Sequence, residues 1–126
     1  MNIRFLSKVG LILLLFIISC DSGTQYDYFI INKCNEKIDV LIVVRLNQEP
    51  MIKIEANSKQ LVYIEEGLGH VFDSNIELIF QKITITKGNY TSKINYVNKD
   101  VWEFEPTSKH HANCYLTVYP EDFENE

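Results

Sequence analysis

Long apolar runs are absent from this sequence of 126 residues, and their absence argues against a membrane-spanning helix. The longest apolar stretch runs from Val9 to Ile18, which as a helix spans about 15 Å at roughly 1.5 Å per residue. A bilayer core of about 30 Å needs roughly twenty residues. Because Arg4 and Lys8 precede this segment and no acidic residue occurs before Asp21, the stretch is typical of an export signal.

Basic residues are also scarce, with 12 Lys and Arg against 17 Asp and Glu. Removal of residues 1–19 would take Arg4 and Lys8 with it, so the remaining chain would carry a formal charge of −7. Nucleic-acid binding needs clustered Lys and Arg, so the balance excludes a nucleic-acid partner and argues against electrostatic attachment to anionic lipid. A solubilising acidic surface and a docking face for a basic partner both stay open.

Only three cysteines occur, and the first follows the export stretch directly. Ile17-Ile18-Ser19-Cys20 resembles the lipobox of bacterial lipoproteins: an aliphatic residue, a tolerant position, a small residue and the cysteine. The resemblance implies that the Cys20 thiol receives diacylglycerol and that a signal peptidase cleaves between Ser19 and Cys20. It further implies that the new amino group often gains a fatty acyl chain such as palmitate.

This resemblance predicts a protein held on a membrane of the bacterial cell envelope, with the bilayer contacting acylated Cys20. Two or more acyl chains give stable attachment, at about 0.8 kcal/mol per buried CH₂. We therefore expect a signal peptide over residues 1–19, an acylated cysteine with a flexible tether over 20–27, and a single β-domain over 28–126. The sequence does not distinguish the inner from the outer membrane.

The other two cysteines, Cys34 and Cys114, are candidates for a disulfide. An exported protein meets an oxidising compartment, where such pairs persist. Two separate buried thiols are the alternative, because free cysteine behaves as a small apolar residue.

Apolar residues recur with a period of two along most of the chain after residue 28. The best example runs from Ile38 to Leu46, in which every second residue is apolar and β-branched or leucine. Ile76, Leu78 and Phe80 alternate as well, whereas Ile83 and Ile85 resume on the opposite parity. A β-bulge near Gln81-Lys82 or two short strands would keep both sets facing inward.

Seven to nine short strands with no amphipathic helix predict an all-β fold. We expect an antiparallel β-sandwich of immunoglobulin-like or transthyretin-like type, with a small β-barrel as the alternative. Trp102 is expected in the core.

Motifs for chemistry are missing. His110 and His111 are adjacent in a loop-like stretch, which favours an exposed turn over a metal site. Thr107 and Ser108 precede them, but no nucleophile-elbow signature accompanies these hydroxyls. The paired carboxylates at Glu65-Glu66 and at Glu103 and Glu105 fit an exposed strand face. We predict no catalytic residues, no metal and no cofactor.

Three functions remain for a chain of this kind. The first is a non-enzymatic, lipid-anchored envelope domain for protein interaction or assembly. The second is an inhibitor or immunity lipoprotein that blocks a secreted basic hydrolase. The third is a small-molecule or glycan binder, which would need an aromatic-lined groove.

Overall fold

The computed structural model describes residues 23–71 and 76–124, which form a sandwich of two β-sheets. In chain order the elements are β1 (Gly23–Asn32), β2 (Ile38–Val44), β3 (Asn47–Gln48), β4 (Ile52–Ile54), β5 (Lys59–Leu68), α1 (Ile76–Ile79), β6 (Phe80–Lys87), β7 (Tyr90–Thr91), β8 (Trp102–Ser108) and β9 (His111–Val118). Short 3₁₀ turns cover Lys99–Val101 and Pro120–Phe123. Over these two ranges, no helix has the length and apolar character to cross a bilayer.

The first sheet has the strand order β5-β1-β9-β8, and the second places β2 between β6 and the short strands β3 and β4, with β7 beyond β6. The predicted β-sandwich is confirmed, and the described residues form no closed barrel. All pairs of the second sheet are antiparallel. The first sheet is mixed, since β1 runs parallel to β9 while its other pairs are antiparallel.

The core lies between the inner faces of the two sheets and follows the predicted alternation. Every second residue of β2, β9 and the later part of β1 is buried. Tyr28, Phe80 and Trp102 form an aromatic centre, with Tyr28 edge-on to Phe80 at 4.9 Å and to Trp102 at 5.6 Å between ring centroids. Such pairs add about 0.5–1.5 kcal/mol each beyond their buried area. The core position expected for Trp102 is confirmed.

Strand β2 ends earlier than its apolar pattern predicts. Arg45 and Leu46 have φ of 49° and 68° and form a two-residue turn, after which Asn47 pairs back with Val44. Positive φ at both turn residues matches the right-handed twist of the flanking strands. Leu46 therefore lies in the turn and not on the buried face.

The apolar residues before β6 form a helical turn, not the expected alternating strand. Ile76 is buried and Leu78 is exposed, because α1 turns its side chains through a helical period. Beyond it, Val43 pairs with Lys82 and Val44 with Phe80, which leaves Gln81 as an extra residue. This confirms the predicted bulge, which returns Ile83 and Ile85 to the core.

The predicted tether over residues 20–27 is too long. Strand β1 begins at Gly23, and residues 23–27 pair with β5 on one side while residues 25–27 also pair with β9 on the other. Thr24 is buried and its hydroxyl donates to the Gly69 carbonyl at 2.6 Å. Two neighbouring strands satisfy this backbone, and a strand is therefore more stable here than a solvated coil.

Cys34 and Cys114 are both buried and are not joined as a disulfide. In the parallel β1–β9 pair, Cys114 lies beside Tyr28 and Val118 lies beside Asn32. The four residue steps between these levels span about 13 Å, whereas a disulfide needs Cα atoms within about 7 Å. The register of β1 therefore does not bring the strand residues beside the two thiols together, and the two thiols are not bonded in this structure.

The sandwich has two ends that differ in chemistry. We call one the Gly23 end, where β1 begins and β2 finishes, and the other the Asn32 end, where β1 finishes and β2 begins. Asn32 is fully buried and fixes its end: its amide donates to the carbonyls of Glu36, Ile54 and Glu55, and its side-chain oxygen accepts from the Cys34 amide.

Candidate functional site

A cavity of about 280 Å³ opens toward the Asn32 end. Its walls come from the loop after β7, from the β8–β9 hairpin and from the last 3₁₀ turn. The side chains that define it are those of Ile94, Val101, Glu103, Tyr115, Tyr119 and Asp122. We call this cavity the Tyr119 groove.

Local sequence explains why the chain leaves the sheets around the groove. Pro120 has no N–H to donate to a strand ladder, so β9 stops at Val118 and a 3₁₀ turn follows. On the opposite wall, the side-chain oxygen of Asn98 accepts from the Asp100 amide at 3.0 Å and caps the 3₁₀ turn that carries Val101.

Tyr96 joins the two walls beneath the groove. It is buried, its carbonyl accepts from the Trp102 indole N–H at 2.7 Å, and its hydroxyl lies 2.7 Å from the Ser92 Oγ. The same hydroxyl donates to Asp122 Oδ2 at 3.3 Å, and that oxygen also accepts from the Tyr119 amide at 2.9 Å. The Asp122 carboxylate is thus held in place by two donors.

Desolvation and nearby acids raise the pKa of two tyrosines at the groove, Tyr96 and Tyr115. Burial is the main cause that raises the pKa of Tyr96 above its ordinary value, and the charge of Asp122 raises it further. The pKa of Tyr115 is also raised, by desolvation and then by the charge of Glu105. These phenols therefore act as hydrogen-bonding groups and not as anions at neutral pH.

The groove combines apolar walls with two carboxylates, at Glu103 and Asp122. Its volume is at the low end for small-molecule sites, which typically span about 300–1,000 Å³. An aliphatic chain ending in a cation matches this arrangement, because aromatic faces and carboxylates both attract a positive charge. A lysine or arginine side chain of a partner has that chemistry.

Tyr115 connects the groove to the uncovered outer face of the first sheet. Its ring stacks on Phe29 at 5.4 Å between centroids, and the ammonium of Lys59 lies 5.3 Å from the Phe29 ring and 5.5 Å from the Tyr115 ring. This face therefore already holds one cation against aromatic rings.

Farther along the same face, Thr107, His111 and Asp27 form a chain of hydrogen bonds. His111 Nε2 lies 3.0 Å from Asp27 Oδ2, and His111 Nδ1 lies 2.5 Å from the Thr107 hydroxyl. The same hydroxyl lies 3.2 Å from the His111 carbonyl oxygen, which is a second acceptor for its proton. The three residues clamp the β8–β9 hairpin to β1.

The remaining sequence candidates are dispersed. His110 stacks on His70 at 5.5 Å and its Nδ1 lies 2.9 Å from the Gly69 carbonyl oxygen, while its amide donates to the Ser108 hydroxyl. No group of three or more His, Cys, Asp or Glu that could hold a metal occurs within residues 23–71 and 76–124.

The members of each carboxylate pair in the sequence have different surroundings in the fold. Glu65 forms an ion pair with Arg45, whereas Glu66 is exposed. Glu103 lines the groove and Glu105 accepts from the Tyr115 hydroxyl at 3.4 Å.

Sequence reasoning missed the groove because its walls come from three separate segments. Three of its lining residues are tyrosines, at positions 96, 115 and 119, but they are too far apart in the sequence to form a motif.

The lipobox residues, including Ser19 and Cys20, lie outside the described residues. No family model, curated protein or solved structure matches the chain. The geometry of the described residues and the sequence pattern therefore carry the functional argument.

Proposed function

We propose that this protein is a lipid-anchored, non-enzymatic binding module of the bacterial cell envelope, and that its Tyr119 groove captures a cationic segment of a partner protein. The observation that carries the binding role is the groove itself. Apolar walls at Ile94, Val101 and Tyr119 surround two carboxylates, at Glu103 and Asp122. The anchor rests on the resemblance of Ile17-Ile18-Ser19-Cys20 to a lipobox.

The position of the groove supports this pairing of roles. Cys20 precedes Gly23, the first residue of β1, whereas the groove opens toward the Asn32 end of the sandwich. A ten-residue strand spans about 30 Å. An anchor at Cys20 would therefore hold the groove away from the bilayer, where a partner can reach it.

The net charge of −7 for residues 20–126 favours a basic partner, since opposite net charges speed encounter. A secreted basic hydrolase has the required chemistry, so an inhibitor or immunity role is the second candidate. The groove would then hold a basic loop of the enzyme.

Photo-crosslinking tests the groove. A photoreactive amino acid at Tyr119 should crosslink a basic protein in the bacterium that makes this chain, whereas the same probe at Met51, which is similarly exposed, should not. Equal crosslinking at both positions would contradict the proposal. If the crosslinked protein is a hydrolase, the mature chain is then added to that purified enzyme. A loss of the enzyme's activity would favour the inhibitor role.

Charge reversal gives the matched control for that experiment. Glu103→Lys places a cation in the groove and should weaken partner binding about tenfold, as measured by titration with the crosslinked partner. Glu66→Lys makes the same change in net charge at an exposed position of β5, outside the groove, and it should change the affinity less than twofold. Equal losses would indicate a general charge effect and not a groove.

Metabolic labelling with an alkyne fatty acid tests the anchor. Cys20→Ala should abolish the label and slow maturation, because the thiol that carries the lipid is gone. Cys114→Ala removes a buried thiol and should keep the full label. A labelled Cys20→Ala protein would refute the lipid attachment.

A further inference from the structure

The three most exposed large apolar side chains described in this protein all belong to leucines at one end of the sandwich. Leu46, Leu78 and Leu68 are 86%, 78% and 75% exposed, and the next in rank, Tyr90, is 53% exposed. Single exposed leucines are ordinary. Three at one end need an explanation.

Strand pairing places all three leucines at the Gly23 end. Leu68 pairs directly with Gly23 at the start of β1. Leu46 lies in the turn that follows β2, and its amide donates to the Gln81 side chain beside the start of β6. Leu78 lies in α1, which leads directly into Phe80, the residue paired with Val44.

An ion pair ties the Leu46 turn to β5, and a backbone bond fixes the chain that follows β5. Arg45, next to Leu46, pairs with Glu65, three residues before Leu68. The Val71 amide donates to the Lys109 carbonyl in the β8–β9 turn at 2.9 Å. Leu46 and Leu68 therefore stand on segments that are tied together, and Leu78 lies on α1 just before the residue that pairs with Val44. We call the surface that carries the three side chains the leucine end.

The backbone at Leu46 gives an independent reason to assign a role. Its φ of 68° lies in the left-handed region, where glycine and asparagine are favoured and leucine is uncommon. An exposed leucine in that conformation contributes little to folding. Contact with an apolar phase outside the domain would account for it.

The chain before the domain indicates which phase that is. Only Asp21 and Ser22 separate Cys20 from Gly23, so the Cα atoms of Cys20 and Gly23 lie at most about 11 Å apart. An acylated Cys20 would hold the Gly23 end against the bilayer surface. We infer that Leu46, Leu68 and Leu78 insert into the interfacial region of that bilayer and fix the orientation of the domain.

This inference rests on the proposed lipid anchor. Insertion should depend little on ionic strength, because Arg45 is already paired with Glu65 at this end and the domain carries excess negative charge. The orientation would keep the Tyr119 groove turned away from the membrane.

Depth-dependent fluorescence quenching tests the inference on the acylated mature protein in phosphatidylcholine vesicles that contain brominated lipid. Tryptophan at position 46, 68 or 78 should be quenched at least twofold more than tryptophan at Tyr90, which is exposed at the turn between β6 and β7. Buried Trp102 contributes the same background to each variant. Quenching at all three positions equal to that at position 90 would overturn the inference while leaving the anchor intact.

Mass spectrometry of the same samples separates the two proposals, because it reports acylation of Cys20 without reference to orientation. An unacylated protein would refute the anchor and this inference with it. Replacement of all three leucines by serine should reduce the quenching of a tryptophan at Gly67, an exposed position of β5 with room for a side chain, at least twofold with acylation unchanged. If wild-type protein instead forms a dimer that the serine variant lacks, the leucine end binds a second copy and the membrane role is wrong.

Discussion

The two ends of the sandwich show how one fold can carry two kinds of surface. At the Asn32 end, polar groups are buried and bonded: Asn32 makes four hydrogen bonds, and Tyr96 ties Ser92 to Asp122. At the Gly23 end, three leucines project into solvent. The first end is fixed by buried hydrogen bonds, whereas the second exposes large apolar side chains that are not packed against the rest of the domain. The comparison predicts different outcomes for mutations at the two ends.

The largest effect is expected at Asn32. Asn32→Ala would leave three carbonyls and the Cys34 amide without their side-chain partners in a buried site, and unsatisfied buried groups cost about 1–3 kcal/mol each. Because water can reach some of these groups, we expect a loss of about 3 kcal/mol in the free energy of unfolding, measured by urea denaturation. Gln60→Ala, which removes an exposed amide on β5, should change it by less than about 0.5 kcal/mol. Similar losses for both variants would contradict the role assigned to Asn32.

The next effect is a loss of stability at alkaline pH. Burial raises the pKa of both Tyr28 and Tyr96 above the ordinary value of about 10. Above pH 10 these tyrosines ionise in the unfolded chain but not in the folded one, so rising pH favours unfolding. Each contributes a slope of up to about 1.4 kcal/mol per pH unit until the folded protein also ionises. The free energy of unfolding should be independent of these groups below about pH 9. Urea titrations at a series of pH values would show the pH at which it begins to fall.

Removal of single hydroxyls should separate two buried tyrosines. Tyr96→Phe deletes a hydroxyl that contacts Ser92 and Asp122, and should lower the free energy of unfolding by about 1 kcal/mol. The Tyr28 hydroxyl has no hydrogen-bond partner among the described residues. Tyr28→Phe should therefore be neutral or stabilising by about 1 kcal/mol. Equal destabilisation of both variants, measured by thermal denaturation, would show that Tyr28 has a partner after all.

The smallest effect is expected at the leucine end. Leu46→Asn places a residue suited to positive φ in the β2–β3 turn, and should raise the free energy of unfolding by a few tenths of a kcal/mol. Leu68→Asn changes the side chain in the same way on an ordinary strand and should not stabilise. A destabilised Leu46→Asn variant would mean that Leu46 supports the fold, which the exposed position does not indicate.

Local pattern predicted much of the fold. The alternation from Ile38 onward predicted β2, and the parity change between Phe80 and Ile83 predicted either a bulge near Gln81 or two short strands, of which the structure has the bulge. These features depend on neighbours in the chain. The pairing of β1 with β9 did not follow, because the two strands are separated by more than seventy residues.

The functional surfaces were less accessible to sequence reasoning for the same reason. The Tyr119 groove joins residues 94–103 to residues 115–122, and the leucine end joins a turn, a strand end and a helical turn. The alternating pattern placed Leu46 and Leu78 on strands, although both are exposed in the structure. A short run of apolar residues fits a strand as well as a turn or a helical turn.

The sequence by itself determined the acidic balance, and it predicted the export-type leader, the alternating strands and the change of parity before Ile83, because each depends on composition or on residues close along the chain. Only the tertiary structure decided that Cys34 and Cys114 are not joined, that β1 begins at Gly23, and that groove and leucines occupy opposite ends. Those outcomes depend on strand register between distant segments, and register is set by the packing of the whole core.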